Sequence, residues 1–264
     1  MNKKIGILYK QDDESRNYAR SFIEQSNFEC VELSERDKVD LIVCFGGDGT
    51  FLRCVDYACK YQAPIVSVNT GNLGFLSCYN KDEIPLLIKK IKDNALYLEK
   101  KRLFKVVYKN KSRLFFNDVS VQRESSPSFN SEVVTLGLYA KNKPVEWYSA
   151  DGIVISTPAG STAYSLSAGG AILVPDLKGV IAAPLLAHSL YSKPIVFPDS
   201  AKLTVKAEKA GVPCNIFADG RFFISISEGE SADVYKSTKT ISVATNSDFY
   251  KKLNTKLNNW GVKR

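Results

Sequence analysis

The segment LIVCFGGDGTFL, residues 41–52, joins a short apolar run to three closely spaced glycines and an acid. Gly46, Gly47 and Gly49 carry no Cβ and can adopt positive φ, so their backbone N–H groups can face an anion. A helix that starts near Thr50 would add its positive end. The pattern predicts a phosphate loop formed by Gly46, Gly47, Gly49 and Thr50 at the end of a strand.

Asp48, in the middle of this loop, would repel a bare phosphate, and two kinds of chemistry could explain it. The carboxylate could share a magnesium ion with phosphate oxygens, or it could accept the proton of a hydroxyl that attacks phosphorus. Both roles belong to kinases. The structural alternative is a tight turn in which Asp48 caps the helix. The segment is not a P-loop, because it lacks the lysine, nor a Rossmann fingerprint, because Leu52 replaces the third glycine.

Two further segments that contain several glycines could also bind a ligand. NTGNLGF, residues 69–75, follows another predicted buried strand, and adjacent parallel strands end at one edge of a sheet, so we expect both glycine loops to face one crevice. DGIVISTPAGSTAYSLSAGG, residues 151–170, offers uncharged hydrogen-bonding groups that suit sugar hydroxyls or an amide. The alternative for residues 69–75 is an ordinary turn between a strand and a helix. The alternative for residues 151–170 is a β-turn followed by a short capped helix, although so many small polar groups are costly to bury without partners.

The composition is that of a folded protein, with 44% apolar and 24% charged residues. The six cysteines include no CxxC pair, which favours free thiols in a reducing cytosol over disulfides or zinc. No stretch approaches the roughly 18 apolar residues that span a bilayer, and the apolar run near the start is too short for a signal peptide. We therefore expect a cytoplasmic protein without a membrane partner.

The formal net charge of +8 makes anionic ligands plausible. The basic residues are scattered, however. The densest cluster, KKRLFK at residues 100–105, lacks the interleaved aromatics of a nucleic-acid stripe and is more typical of a solvated face near a strand. We therefore predict no nucleic-acid partner.

The hydrophobic pattern predicts two domains. Residues 1–100 alternate strands with helices, which is typical of an α/β domain with an open parallel sheet. Residues 101–245 read as short strands, including one over 113–122 and a loop at 124–132, and favour a β-rich domain with an antiparallel, sandwich-like arrangement. Residues 246–264 read as a helix that returns to the first domain, with Ser247 as its cap.

Together these segments resemble the NAD kinase family over most of the chain. GGDGTFL, NTGNLGFLS, FFNDV, the segment at 151–170, AHSLYSKPIVFP and ADG occur in the family's order. GGDGT also occurs in diacylglycerol and sphingosine kinases, whereas the long segment at 151–170 is far more specific to NAD kinases. The resemblance implies transfer of the γ-phosphate of ATP to the 2′-hydroxyl of the adenosine ribose of NAD, which gives NADP.

The resemblance also implies a divalent cation, an oligomeric state and a ligand for each domain. Mg²⁺ or another divalent cation would be held through the ATP phosphates rather than by protein ligands. Residues 1–100 would bind the nucleotide phosphates, and residues 101–245 would bind NAD. The implied assembly is a homodimer or a homotetramer.

Individual roles follow from the same resemblance. Asp48 and Gly49 would both contact NAD, and Asp48 would also activate the 2′-hydroxyl. Asn117 would hydrogen-bond the adenine, Asp118 would hold ribose hydroxyls, and Asp151 would engage the nicotinamide end. The stretch that lines the dinucleotide, partly across a subunit interface, comprises Thr162, Ala163, Tyr164, Ser165, Leu166 and Ser167.

Three positions depart from the family pattern. Ser149 stands where bacterial members often carry arginine, and Arg221 where glutamine is common; we hypothesise that Arg221 supplies some of the missing positive charge. The alternative is an exposed arginine that starts a strand. Asp118 replaces the usual glutamate and reaches less far, which would weaken ribose binding unless Asn117 shifts.

His188, the only histidine, lacks a carboxylate or metal-ligand neighbour in a motif, which favours a structural or interface role.

Two other functions stay open at this point. A lipid or sugar kinase could share the glycine loop, but it would need an apolar channel or a membrane-binding face, and no basic amphipathic helix is present to supply one. A non-catalytic NADP-binding sensor would keep the segment at 151–170 and would not need Asp48.

Overall fold

The computed structural model describes residues 3–34, 36, 38–72, 74–124, 133–246 and 248–262. The chain divides into two compact units, one formed by Met1–Lys101 with Lys239–Arg264 and the other by Arg102–Thr238. Ser247, the predicted cap, lies outside the described residues, and so does most of the predicted loop at 124–132.

The first unit contains a parallel sheet in the order β5-β4-β3-β1-β2. Its strands are β1 (Lys4–Tyr9), β2 (Glu29–Glu32), β3 (Leu41–Phe45), β4 (Ile65–Asn69) and β5 (Tyr79–Asn80). Its helices in this part of the chain are α1 (Asp13–Ser26), α2 (Asp48–Tyr61) and α3 (Ile84–Lys92). Every residue of β3 and β4 is buried, as the continuous apolar runs predict for a parallel sheet covered on both faces.

Local signals explain where the helices of this unit begin and end. The side chain of Asp12 accepts a hydrogen bond from the Ser15 N–H and so caps α1, which ends at Asn27 in the left-handed conformation. Helix α2 starts before the predicted position near Thr50, because Gly47 serves as its N-cap in an extended conformation. The start of α2 therefore lies inside the glycine loop, and Asp48 is its first residue.

The second unit is built from antiparallel strands. Its first strands are β6 (Leu98–Tyr108), β7 (Lys111–Phe115), β8 (Asp118–Arg123), β9 (Val134–Ala140), β10 (Lys143–Ala150) and β11 (Gly152–Ser156). After the short helix α4 (Tyr164–Ser167) come β12 (Gly179–Leu185), β13 (Ile195–Pro198), β14 (Leu203–Lys209), β15 (Cys214–Ala218) and β16 (Arg221–Ile226). One sheet has the order β13-β12-β11-β8-β15-β16, and all its pairs are antiparallel.

The remaining strand and helix complete the units. Strand β17 (Ser231–Ala244) pairs with β14 in the second unit, and near its end Val243 pairs with Ile65 of β4 in the first. Helix α5 (Phe249–Val262) belongs to the first unit. The other sheet of the second unit contains β10, β9, β14 and β17 in that order. Inward-facing side chains of both sheets, such as Val121, Leu136 and Val205, form one core. These parallel and antiparallel sheets confirm the predicted fold class.

The structure corrects three strand predictions. The single strand predicted over 113–122 is two strands, β7 and β8, separated at Phe116 and Asn117. Strands β10 and β12 were not predicted, because β10 is mostly exposed and both contain a proline. Within the part of the chain that the structure describes, no helix is both long and apolar enough to cross a membrane.

Candidate active site

The predicted phosphate loop turns from β3 into α2. Gly46 has a φ of 152°, and a Cβ on this residue would lie 2.3 Å from the buried Thr50 Oγ1, so glycine is needed here. Around Gly47 and Gly49 the space is open, since a Cβ there would meet no atom of the described residues within 4 Å apart from adjacent residues and the backbone of the helix itself. The loop is thus anchored at Gly46 and Thr50 and leaves room for a ligand at Gly47 and Gly49.

The carboxylate of Asp48 is held by the second glycine loop. Its Oδ2 accepts a hydrogen bond from the Phe75 N–H, and its Oδ1 accepts one from the Leu76 N–H, both at 3.0 Å. A Cβ on Gly74 would lie only 2.1 Å from Asp48 Oδ1, so this approach requires glycine. The structure therefore brings the two glycine loops together through Asp48. The capping alternative is wrong, because Gly47 is the N-cap and the carboxylate points to the other loop.

A second cluster lies in the other unit, where the carboxylate of Asp219 holds the turn between β7 and β8. Asp219 accepts hydrogen bonds from the backbone N–H groups of Phe116 at 2.8 Å, Asn117 at 2.7 Å and Asp118 at 3.2 Å. Asp219 itself has a φ of 49°, in the tight turn before β16. Asp219 belongs to the ADG motif, and the only signal in the sequence for this role was an Asp-Gly pair between two predicted strands.

The segment at 151–170 packs against the same turn. The Thr157 hydroxyl donates to the Phe116 carbonyl at 2.8 Å, and the Thr157 N–H donates to the Asn117 carbonyl at 2.9 Å. A Cβ on Gly160 would lie 2.2 Å from the Asn117 carbonyl oxygen, so the backbones are in direct contact. The segment at 151–170 and the Asn117 turn are therefore in direct contact and form one cluster.

Most hydroxyls of this cluster have partners within the protein, but two polar atoms do not. Ser161, for example, donates to the Pro158 carbonyl and accepts from the Leu173 N–H. In contrast, Asn117 Oδ1 and Ser165 Oγ are buried without a hydrogen-bond partner among the described residues. Because a buried polar atom left unpaired costs about 1–3 kcal/mol, these two atoms point to a missing partner such as a ligand.

The remaining predicted residues of the segment surround this cluster. Tyr164 is 41% exposed. Burial raises the pKa of its phenol, and the nearby carboxylates of Asp118 and Asp151 raise it further. The structure thus brings Tyr164 close to both acids. Thr162, Ala163 and Leu166 are half-buried, and Ser167 is exposed.

Asp151 has a cationic partner that no sequence motif indicated. Arg123 Nε donates to Asp151 Oδ1 at 2.7 Å, and the Arg123 N–H donates to the Asp151 carbonyl at 2.9 Å. Arg123 directly follows the strand predicted over 113–122, so its place at a strand end was the only signal.

Ser149 is exposed. Arg221 lies close enough to Asp219 to lower the pKa of that carboxyl, although burial raises this pKa overall.

His188 is exposed, and its backbone N–H donates to the Ser149 carbonyl at 3.0 Å. Among the hydrogen bonds and ion pairs of the described residues, none joins its imidazole to a carboxylate.

Asp118 is the most perturbed acid of the second cluster. It is 7% exposed, and burial together with the neighbouring Asp219 carboxylate raises its pKa from 3.8 to about 7. The native state therefore binds a proton at Asp118 more readily than the unfolded chain does between about pH 4 and about pH 7.

We expect this proton to make stability depend on pH. Since the native pKa is the higher one, the stabilisation is fully present below about pH 4 and is lost as the pH rises through about 7. In Asp118→Asn this contribution is absent. The difference in unfolding free energy between wild type and the variant should thus change by about 4 kcal/mol at most over this range, measured by urea denaturation. A difference that is constant with pH would contradict the assignment.

Sequence comparison places both halves of the chain in one family. Residues 3–96 match the family model of the ATP-NAD kinase N-terminal domain, and residues 116–245 match that of the ATP-NAD kinase C-terminal domain. An NAD kinase from Caldicellulosiruptor saccharolyticus is 32% identical over 243 residues, which cover 90% of this chain and 91% of that protein.

Two solved structures share the fold. Yeast NADH kinase in complex with NADH superimposes with a TM-score of 0.85 at 22% identity, over 99% of this chain and 89% of that one. An NAD kinase from Archaeoglobus fulgidus in complex with ATP gives a TM-score of 0.77 at 24% identity, over 97% of this chain and 98% of that one. Because both family models match and a relative above 30% identity is covered almost completely, this chain belongs to the NAD kinase family.

Proposed function

We propose that this protein transfers the γ-phosphate of ATP to the 2′-hydroxyl of the adenosine ribose of NAD and so forms NADP. Family membership supports an ATP-dependent kinase of NAD and disfavours the lipid kinase, sugar kinase and sensor alternatives. The observation in this chain that best supports the proposal is the pair of buried, unpaired atoms Asn117 Oδ1 and Ser165 Oγ.

Adenine can provide a hydrogen-bond partner for each of these two atoms. Asn117 Oδ1 can accept a hydrogen bond from the exocyclic amine, and the Ser165 hydroxyl can donate to a ring nitrogen or accept from the amine. Within this proposal Asp118 and Asp151 bind the ribose hydroxyls and the nicotinamide end, and Thr162, Ala163, Tyr164, Leu166 and Ser167 line the dinucleotide. The hypothesis that Arg221 supplies positive charge toward a phosphate belongs to the same proposal.

Asp48 is proposed to be the catalytic residue. Two backbone N–H groups orient its carboxylate, and each oxygen keeps a lone pair for the proton of the attacking hydroxyl. Phosphoryl transfer depends mainly on positioning and charge stabilisation, so one oriented carboxylate beside a phosphate loop suits this reaction. Gly46, Gly47, Gly49 and Thr50 are proposed to hold the phosphates.

A divalent cation such as Mg²⁺ fits this arrangement when ATP itself holds it. Among the described residues, no three or more His, Cys, Asp or Glu side chains form a group that could hold a metal ion. We therefore propose that the cation is bound mainly through the ATP phosphates, where it would neutralise part of their charge.

The wider setting is proposed on the same basis. Residues 1–100 would bind the nucleotide phosphates, residues 101–245 would bind NAD, and the active form would be a homodimer or a homotetramer. A cytoplasmic location is supported by the six free cysteines, four of which are buried.

A coupled assay tests the function directly. The purified protein is incubated with NAD, ATP and Mg²⁺, and an NADP-specific dehydrogenase reports the product. We expect NADP to form only when all three are present. Matched reactions omit one component each, or offer diacylglycerol with radiolabelled ATP. NADP binding without NADP formation would support the sensor alternative, and a labelled lipid would support the lipid kinase.

A further inference from the structure

Helix α5 contacts the loop that holds Asp48. The half-buried ammonium group of Lys252 donates hydrogen bonds to two carbonyl oxygens of this loop, that of Phe75 at 3.1 Å and that of Ser77. Two neighbours on α5 hold the Phe75 ring: the Phe249 ring centroid lies 6.0 Å away, and Lys256 Nζ lies 4.4 Å from the Phe75 centroid. The C-terminal helix thus contacts both the backbone of this loop and its Phe75 side chain.

One peptide group links Lys252 to Asp48. Its carbonyl oxygen, from Phe75, accepts from Lys252, and its N–H, from Leu76, donates to Asp48 Oδ1 at 3.0 Å. Hydrogen bonds at both ends of one peptide polarise each other, and together they fix the orientation of its plane. If this plane rotated, the Leu76 N–H would turn away from the carboxylate.

The charges agree with this arrangement. Burial lowers the pKa of Lys252, and the negative charge of Asp48 acts in the opposite direction, so the two side chains lie close enough to interact. A lysine in such surroundings needs hydrogen-bond acceptors, which the two loop carbonyls provide.

We propose that Lys252 is a positioning residue that sets the orientation of the Asp48 carboxylate through the Phe75–Leu76 peptide. This inference rests on the proposed catalytic role of Asp48. It gives the C-terminal helix a part in the reaction, although no residue of that helix needs to touch a substrate.

The first test is Lys252→Met, which keeps the length and apolar stem of the side chain and removes its charge and donors. We expect kcat to fall about tenfold, because small misplacements of catalytic groups are costly, while the KM for NAD changes by less than about twofold. Lys252→Arg keeps a cationic donor and should recover most of the turnover. Lys251→Met, the same change at the exposed neighbouring residue, should behave like wild type.

A double variant separates positioning from general stability. If Lys252 acts through Asp48, then Lys252→Met should have no further effect on turnover in an Asp48→Asn background. Thermal unfolding is measured for every variant, and Lys252→Gln replaces Lys252→Met if the latter does not fold. Unchanged turnover in the folded Lys252 variant, or equal losses in both backgrounds, would overturn the inference. Unchanged turnover in Asp48→Asn alone would instead reject the proposed role of Asp48.

Discussion

Asp48→Asn is expected to lower the turnover of NAD phosphorylation by about a hundredfold or more, the usual scale for the loss of a general base. The amide side chain cannot take the proton of the 2′-hydroxyl. It also has only one acceptor oxygen, whereas the carboxylate accepts two N–H groups, those of Phe75 and Leu76. One loop amide would therefore face the new NH₂ group. Steady-state kinetics in the coupled assay measure the effect.

NAD affinity provides the companion measurement. Because Asp48 is proposed to contact NAD only at the reacting hydroxyl, while other residues hold the rest of the dinucleotide, the Kd for NAD from calorimetry should change by less than about threefold. Asp56→Asn is a suitable control, since Asp56 is an exposed acid on the same helix. Turnover close to wild type in Asp48→Asn would eliminate this residue as the base, whatever the binding data show.

Asp219→Ala is expected to destabilise the second unit and to weaken NAD binding. The substitution leaves three consecutive backbone N–H groups, those of Phe116, Asn117 and Asp118, without their acceptor. Hydrogen bonds to a charged group contribute about 1.5–3 kcal/mol each, and they are not additive, so we expect a loss of about 3 kcal/mol in unfolding free energy. Since this turn carries Asn117, the Kd for NAD should rise about tenfold or more.

Two variants make this test specific. Asp219→Asn keeps one acceptor oxygen and tolerates the left-handed backbone of this position, so it should fall between wild type and Asp219→Ala. Asp176→Ala removes an exposed acid of the same unit and should change stability by less than about 0.5 kcal/mol. Denaturation and calorimetry at one pH provide both quantities. If the Asp219→Ala variant were as stable as wild type and bound NAD with the same Kd, the turn would not depend on the Asp219 carboxylate.

Local patterns in the sequence were sufficient for much of the fold. Continuous apolar runs predicted the buried strands β3 and β4, and the alternation of strands with helices predicted the parallel sheet of the first unit. The same reasoning failed where structure depends on distant partners. The strand predicted over 113–122 breaks at Phe116 and Asn117, because the backbone N–H groups of these residues donate to the carboxylate of Asp219. Asp219 lies about a hundred residues later in the chain.

The candidate site shows the same division. The order and spacing of glycine and hydroxyl motifs determined the family and selected the residues now proposed for phosphate and dinucleotide binding. Only the tertiary structure decided which groups hydrogen-bond to these residues. The amides of Phe75 and Leu76 bind the Asp48 carboxylate, and Arg123 binds Asp151. Lys252 binds the backbone of the loop that contacts Asp48. A sequence pattern reports the conformational preference of neighbouring residues, whereas these hydrogen bonds form only when folding brings separated backbone groups within about 3 Å of a side chain.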